Sequence, residues 1–151
     1  MRPRALSATL AIAVGLLLAA RPAAAANCTV STTPVSFGAY NVFSGAPLDS
    51  TGMVTCWCDD DRDIEVRFNQ GSSTTFQPRT MRKGPEVLNY NLYLNAARTT
   101  IWGDGSGGTS VYSGSISSGS TVDLIVYGRV PALQNVSAGA YSDTVTVTFE
   151  F

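Results

Sequence analysis

The sequence predicts an all-β chain folded as a single immunoglobulin-like β-sandwich, and three observations carry that prediction. Apolar and polar residues alternate with period two in five separate stretches. Clusters of Gly, Ser, Asn and Pro punctuate those stretches, and beyond residue 26 no segment sustains a helical period. Short strands with turns about every 8–12 residues are the pattern of a β-sandwich.

Taken along the chain, the first stretch is Val54, Cys56 and Cys58, three residues on one face of a strand. Ile64, Val66 and Phe68 then alternate with Glu65, Arg67 and Asn69, so a buried face again opposes a wet one. Leu88, Tyr90, Leu92 and Leu94 form the third case, and Val122, Leu124 and Val126 the fourth. The fifth places Val145, Val147, Phe149 and Phe151 against Thr144, Thr146, Thr148 and Glu150. Between them lie Ser44-Gly45-Ala46-Pro47, Asn69-Gln70-Gly71-Ser72, Gly103 to Gly108 and Ser117 to Ser120, all turn-forming. No repeat, linker or second domain interrupts the order, so residues 27–151 are expected to be one domain.

Residues 1–26 read as an export signal. Arg2 and Arg4 supply a positive start, Ala5 to Ala20 a short apolar run, and Ala24-Ala25-Ala26 the small residues before a cleavage point at Asn27. The apolar run is about 16 residues, short of the roughly 20 that span a bilayer. The protein is therefore expected to be exported. With Arg2, Arg4 and Arg21 in the signal, the remaining 125 residues hold 7 basic against 11 acidic side chains, a net charge of −4. That balance argues against nucleic acid as a partner, because phosphate binding needs a basic face. The chain has no histidine, which removes the Ser-His-Asp and Cys-His nucleophile systems. Ser and Thr number 30 of those 125 residues, a composition suited to an exported β protein.

Export places three cysteines, Cys28, Cys56 and Cys58, in an oxidising compartment. Cys56 and Cys58 lie about 6.6 Å apart along one strand face, too far for a direct bridge. Cys28 is thus expected to pair with one of the two. Such a bridge closes a loop of about 30 residues, worth about 3.6 kcal/mol by chain entropy. Three thiols without histidine make a poor metal set, and the acidic run Asp59-Asp60-Asp61 with Asp63 lacks the spacing of a calcium loop. Gly103 to Gly108 is glycine-rich, but Val111-Tyr112 after it reads as strand where a phosphate loop needs a helix. No metal, cofactor or catalytic residue is expected, and the protein is expected not to be an enzyme.

A series of short motifs runs along the chain: Cys28-Thr29-Val30, Phe37-Gly38-Ala39-Tyr40, Gly52 followed by Cys58, and Arg79-Thr80-Met81. It continues through Leu88 to Tyr93, Ala97-Arg98-Thr99, Trp102 to Gly105, Tyr127 to Pro131, and Gly139 to Val147. In their joint order these motifs resemble the spore coat protein U domain family, and the resemblance implies a location in the periplasm in transit and then at the cell surface or outside the cell. Essentially all of residues 27–151 is covered. That family includes the Csu-type pilins of the archaic chaperone–usher pathway, which build adhesive fibres and biofilm. What the resemblance implies is an incomplete sandwich lacking its last strand, completed by one from a periplasmic chaperone and later from another pilus subunit after passage through an outer-membrane usher. Tyr141, Val145, Val147, Phe149 and Phe151 would line or border the acceptor groove. The family pattern has one cysteine six residues after the glycine, so the resemblance implies a Cys28–Cys58 bridge with Cys56 extra.

The final strand runs to Phe151, and on the expected cleavage only Asn27 precedes Cys28. On that reading the subunit accepts a donor strand and gives none. A carbohydrate-binding module is the alternative, with Trp57, Trp102, Tyr112 and Tyr127 as stacking surfaces for a glycan.

Overall fold

The structure, a computed structural model, describes residues 27–151; the expected signal at residues 1–26 lies outside the described residues. Eight strands form: β1 (Cys28–Thr33), β2 (Leu48–Cys58), β3 (Arg62–Phe68), β4 (Arg79–Lys83), β5 (Glu86–Tyr93), β6 (Tyr112–Ile116), β7 (Thr121–Val130) and β8 (Val147–Glu150). They make two sheets, one ordered β1-β2-β7-β5-β4 and the other β6-β3-β8, and neighbouring strands in both are antiparallel. No helix occurs among the described residues. The all-β sandwich that the alternation predicts is the fold observed.

The first four alternating stretches turn their apolar sets inward, while Val145, Val147 and Phe149 of the fifth are half-buried against the core and Phe151 is exposed. Val54, Cys56 and Cys58 from β2, Ile64, Val66 and Phe68 from β3, Leu88, Tyr90 and Leu92 from β5, and Leu124, Val126 and Val130 from β7 are all buried. Trp102 fills the space between the sheets. It stacks on Phe68 with centroids 4.4 Å apart, and its Nε1 donates to the Val66 carbonyl at 2.9 Å. Its burial takes away one stacking surface that the glycan reading needs, and Tyr112, half-buried 6.3 Å from Trp102, goes the same way. Trp57 and Tyr127 are half-buried on the outer side of the first sheet.

A charge is buried as well. Arg79 donates to the Asn69 carbonyl at 3.1 and 2.9 Å, to Asn91 Oδ1 at 2.8 Å and to the Trp102 carbonyl at 2.7 Å, with its guanidinium over the Phe76 ring. Burial pulls its pKa below the ordinary arginine value. The guanidinium is held by a full set of acceptors and ties the 69–76 turn to β5 and to the loop bearing Trp102.

The register decides the disulfide. In the β1–β2 pairing Cys28 stands directly opposite Cys58, while Cys56 faces Val30. The bridge is Cys28–Cys58, with Cα atoms 4.2 Å apart, and Cys56 is a buried free thiol. Burial, with a smaller effect from the Asp123 charge, pushes the Cys56 thiol pKa up.

Two expectations about elements need correction. The third stretch stops at Tyr93, since the Leu94 amide turns to donate to the Thr100 carbonyl. The last strand covers only Val147–Glu150: its partner β3 ends at Phe68, and Thr146 bonds instead to the backbone and side chain of Asn69.

Candidate functional site

After Thr33 the chain leaves the edge of the first sheet and crosses its inner face. Two glycines permit the crossing. A Cβ on Gly52 would lie 2.6 Å from the Thr33 carbonyl oxygen and 2.9 Å from the Val35 nitrogen. One on Gly128 would lie 2.7 Å from both the Phe37 ring and Val35 Cγ1. Any side chain at either position would push the segment off the sheet. Val35 and Phe37 therefore pack inward, and Phe37 meets the Tyr90 ring edge-on at 6.0 Å. Residues 34–40 make no backbone–backbone hydrogen bond.

On the other side of the interior the chain returns through residues 136–147. Ser142 exchanges backbone bonds with Arg82 of β4 at 2.9 and 3.2 Å, and the segment then joins β3 as β8. Thr146 bonds to Asn69, so by antiparallel alternation Thr148 and Glu150 point their backbone groups at β3. The backbone groups of Val147 and Phe149 face the opposite way, along a free edge that Val145 extends.

Between the two segments lies an open cavity of about 1140 Å³. Residues 32–43 form one wall and residues 136–143 with Val145 and Val147 the other, over a floor of Val54, Phe68, Met81, Leu88, Tyr90, Leu92, Val126 and Val130. It exceeds the roughly 300–1,000 Å³ of a small-molecule pocket. Close-packed interiors hold few voids larger than a water, so this is a gap between elements and not a packing defect. On the first wall the Ser36 carbonyl accepts from Ser50 Oγ at 2.6 Å and no other backbone group of residues 34–40 is bonded; the second wall is paired on one side only, and the floor is apolar.

Tyr141, Val145 and Val147 stand in this lining, and Phe149 and Phe151 do not. The register carries Phe149 alongside Val66, beyond the Phe68–Val147 pair where the cavity ends. Phe151 lies past the end of β8 and is 56% exposed, with its ring 5.4 Å from that of Phe149. Alternation in sequence shows which face these residues share, but not how far along it the gap extends. The sequence reading also left out the whole 34–43 wall. Its signal was present in Val35 and Phe37, an apolar pair at period two, joined to the two glycines the segment crosses.

Polar groups hold the second wall. Tyr90 Oη donates to Asp143 Oδ2 at 2.6 Å, while Asp143 Oδ1 accepts from the amides of Ser72 and Thr144, each at 2.8 Å. Burial pushes the Asp143 carboxyl up, but the bonds from Tyr90, Ser72 and Thr144 outweigh it and hold the group below its ordinary range. Burial, and then the Asp143 hydrogen bond, pushes the Tyr90 phenol up. Further along, Ser137 Oγ donates to Glu86 Oε2 at 2.6 Å, the Tyr141 hydroxyl donates to the same oxygen, and Lys83 Nζ lies 3.2 Å from it. The Ser137 and Tyr141 bonds, aided by Lys83, bring the Glu86 pKa down to about 2. On the first wall, Tyr40 Oη donates to the Pro131 carbonyl at 2.8 Å and accepts from the Gln134 amide at 2.8 Å. No group of three or more metal-ligating side chains is present among the described residues.

Comparison with known proteins gives three findings. The family model described as Spore Coat Protein U domain matches residues 14–148. "Protein U" of Myxococcus xanthus is 34% identical over 130 residues, covering 78% of this chain and 71% of that protein. Among solved structures, a chain of the CsuC–CsuE chaperone–tip adhesion subunit pre-assembly complex, from the archaic chaperone-usher Csu pili of Acinetobacter baumannii, is similar in fold. That similarity has a TM-score of 0.60 at 23% identity and covers 83% of this chain but 40% of the other.

Proposed function

The chain belongs to the spore coat protein U domain family, and from that premise we propose that it is an exported structural subunit of a chaperone–usher pilus or cell-surface coat, completed by a β-strand lent by another chain. One observation carries the reading: the cavity is bounded lengthwise by residues 34–40, which make no backbone–backbone hydrogen bond, and by the outward edge of residues 143–147, over an apolar floor. An extended segment laid between them would bond to both edges and place alternate side chains on the floor, which is recognition by strand addition. A rounded ligand would leave those backbone groups unpaired, and buried unpaired amides are costly.

The partners of this reading are a periplasmic chaperone during transit, an outer-membrane usher, and the neighbouring subunits of the fibre. The fibre's role would be attachment and biofilm formation. Tyr141, Val145 and Val147 are groove residues in this reading, and Phe149 and Phe151 lie beyond its end. Of the four aromatics named for a glycan, Trp57 and Tyr127 lie outside the groove lining, and Trp102 and Tyr112 pack toward the core.

The test is hydrogen–deuterium exchange of the full chain with and without a synthetic peptide of about ten residues alternating Val or Ile with Thr, carrying a lysine at each end. Protection is expected along both 34–40 and 143–147. Protection of one edge alone, or of neither, would sink the reading.

A further inference from the structure

An empty apolar groove is under pressure to close, because bringing its walls together would remove apolar surface from water. Here the walls lack the ladder hydrogen bonds that fix a strand inside a sheet. Residues 34–40 have no backbone pairing, and the second wall is paired on one side only. Side chains stand in for that missing ladder: Ser50 Oγ donates to the Ser36 carbonyl, Lys83 Nζ donates to the Ala138 carbonyl, Ser137 bonds to Glu86, and three tyrosines line the groove itself, Tyr40, Tyr90 and Tyr141. In each the hydroxyl is fastened to another element. Tyr40 ties the first wall to the turn after β7 through Pro131 and Gln134. Tyr141 ties the second wall to Glu86 at the start of β5, and Tyr90 ties the middle of β5 to Asp143 of that same wall. Phe37 of the first wall rests edge-on against the Tyr90 ring, so the floor contacts one wall by packing and the other by a hydrogen bond. The ring supplies apolar surface while the hydroxyl supplies a fixed position, and phenylalanine would do only the first.

We propose that Tyr40, Tyr90 and Tyr141 are positioning residues that hold the two walls apart, so that an incoming strand meets a groove already formed. This rests on the strand-acceptor reading above. Removing an anchor lets the unoccupied groove spend part of its time closed, and apparent affinity falls by the fraction that remains open. The loss is confined to association. Once a strand is seated, its own ladder bonds hold the walls, and dissociation no longer depends on the hydroxyls.

The test measures association and dissociation rates of the same alternating peptide on the full chain, for wild type and for Tyr40→Phe, Tyr90→Phe and Tyr141→Phe. Tyr112→Phe serves as the control, because Tyr112 packs near Trp102 outside the groove lining. Each groove variant is expected to associate roughly three- to tenfold more slowly, about the worth of one net hydrogen bond, with dissociation unchanged. Tyr112→Phe should match wild type. If a groove variant fails to fold, Glu86→Gln weakens the Tyr141 anchor while leaving every tyrosine in place, and it should show the same slow association. Unchanged association in all of them, or faster dissociation in place of slower association, overturns the inference while leaving strand acceptance intact. No binding by wild type overturns the strand-acceptor reading itself, and this inference with it.

Discussion

Replacing Cys58 by Ser removes a bridge between directly paired residues of β1 and β2, and should cost about 2–5 kcal/mol in urea unfolding. Cys56→Ala removes only a buried thiol and should cost about 1 kcal/mol, in the range of a small core truncation. A bridge mapped to Cys56 under non-reducing conditions would contradict the register. Arg79 should prove less tolerant than either cysteine's sequence context suggests. Arg79→Leu strands the Asn69 and Trp102 carbonyls and Asn91 Oδ1 without a donor, so a loss of about 3 kcal/mol or more is expected. Arg79→Lys should recover only part of it, because an ammonium cannot reproduce the planar fork. Urea unfolding of both variants checks the ranking.

At the scale of an element, the 136–145 wall depends on carboxylates that must stay ionised. Glu86 has a pKa of about 2 against an ordinary 4.5. A depressed folded value means the stabilisation is complete above about pH 4.5 and is lost as pH falls toward 2. Asp143, also held below its ordinary range, acts in the same direction. The melting-temperature difference between wild type and Glu86→Gln should therefore be largest at neutral pH and vanish on acidification toward pH 2. A difference that grows in acid would have the wrong sign. The opposite wall depends on bare backbone. Gly128→Ala sets a methyl 2.7 Å from Phe37 and Val35, and should cost about 1–3 kcal/mol by displacing the crossing segment.

For the molecule as a whole, two sheets enclose a core that is complete on one side and open on the other. Exposed edges of this kind are templates for further pairing, so the unoccupied chain should be prone to aggregate. A strand that binds the folded state alone raises stability by mass action, by about 2.7 kcal/mol at a hundred times its dissociation constant. Thermal unfolding of the full chain should shift upward with peptide concentration. A melting temperature indifferent to the peptide would count against strand acceptance.

Alternation is a local property, and it was enough to identify an all-β chain, the buried faces of β2, β3, β5 and β7 and the half-buried face of β8, because burying one side of a strand imposes period two on its own residues. The cysteine count and its tight spacing likewise limited the bridge to Cys28 with one of two partners, and family resemblance pointed to Cys58. The pairing itself belongs to the register, which sets Cys28 opposite Cys58 and Val30 opposite Cys56 through contacts between strands distant in sequence. The same holds for Arg79, an ordinary exposed residue by type, whose acceptors come from residues 69, 91 and 102. It holds for the groove as well. Val145 and Val147 could be read from their own strand, but the facing wall exists only because the chain after β1 crosses over Gly52 and Gly128. A cavity is a relation between segments, and no period within either segment encodes the distance between them.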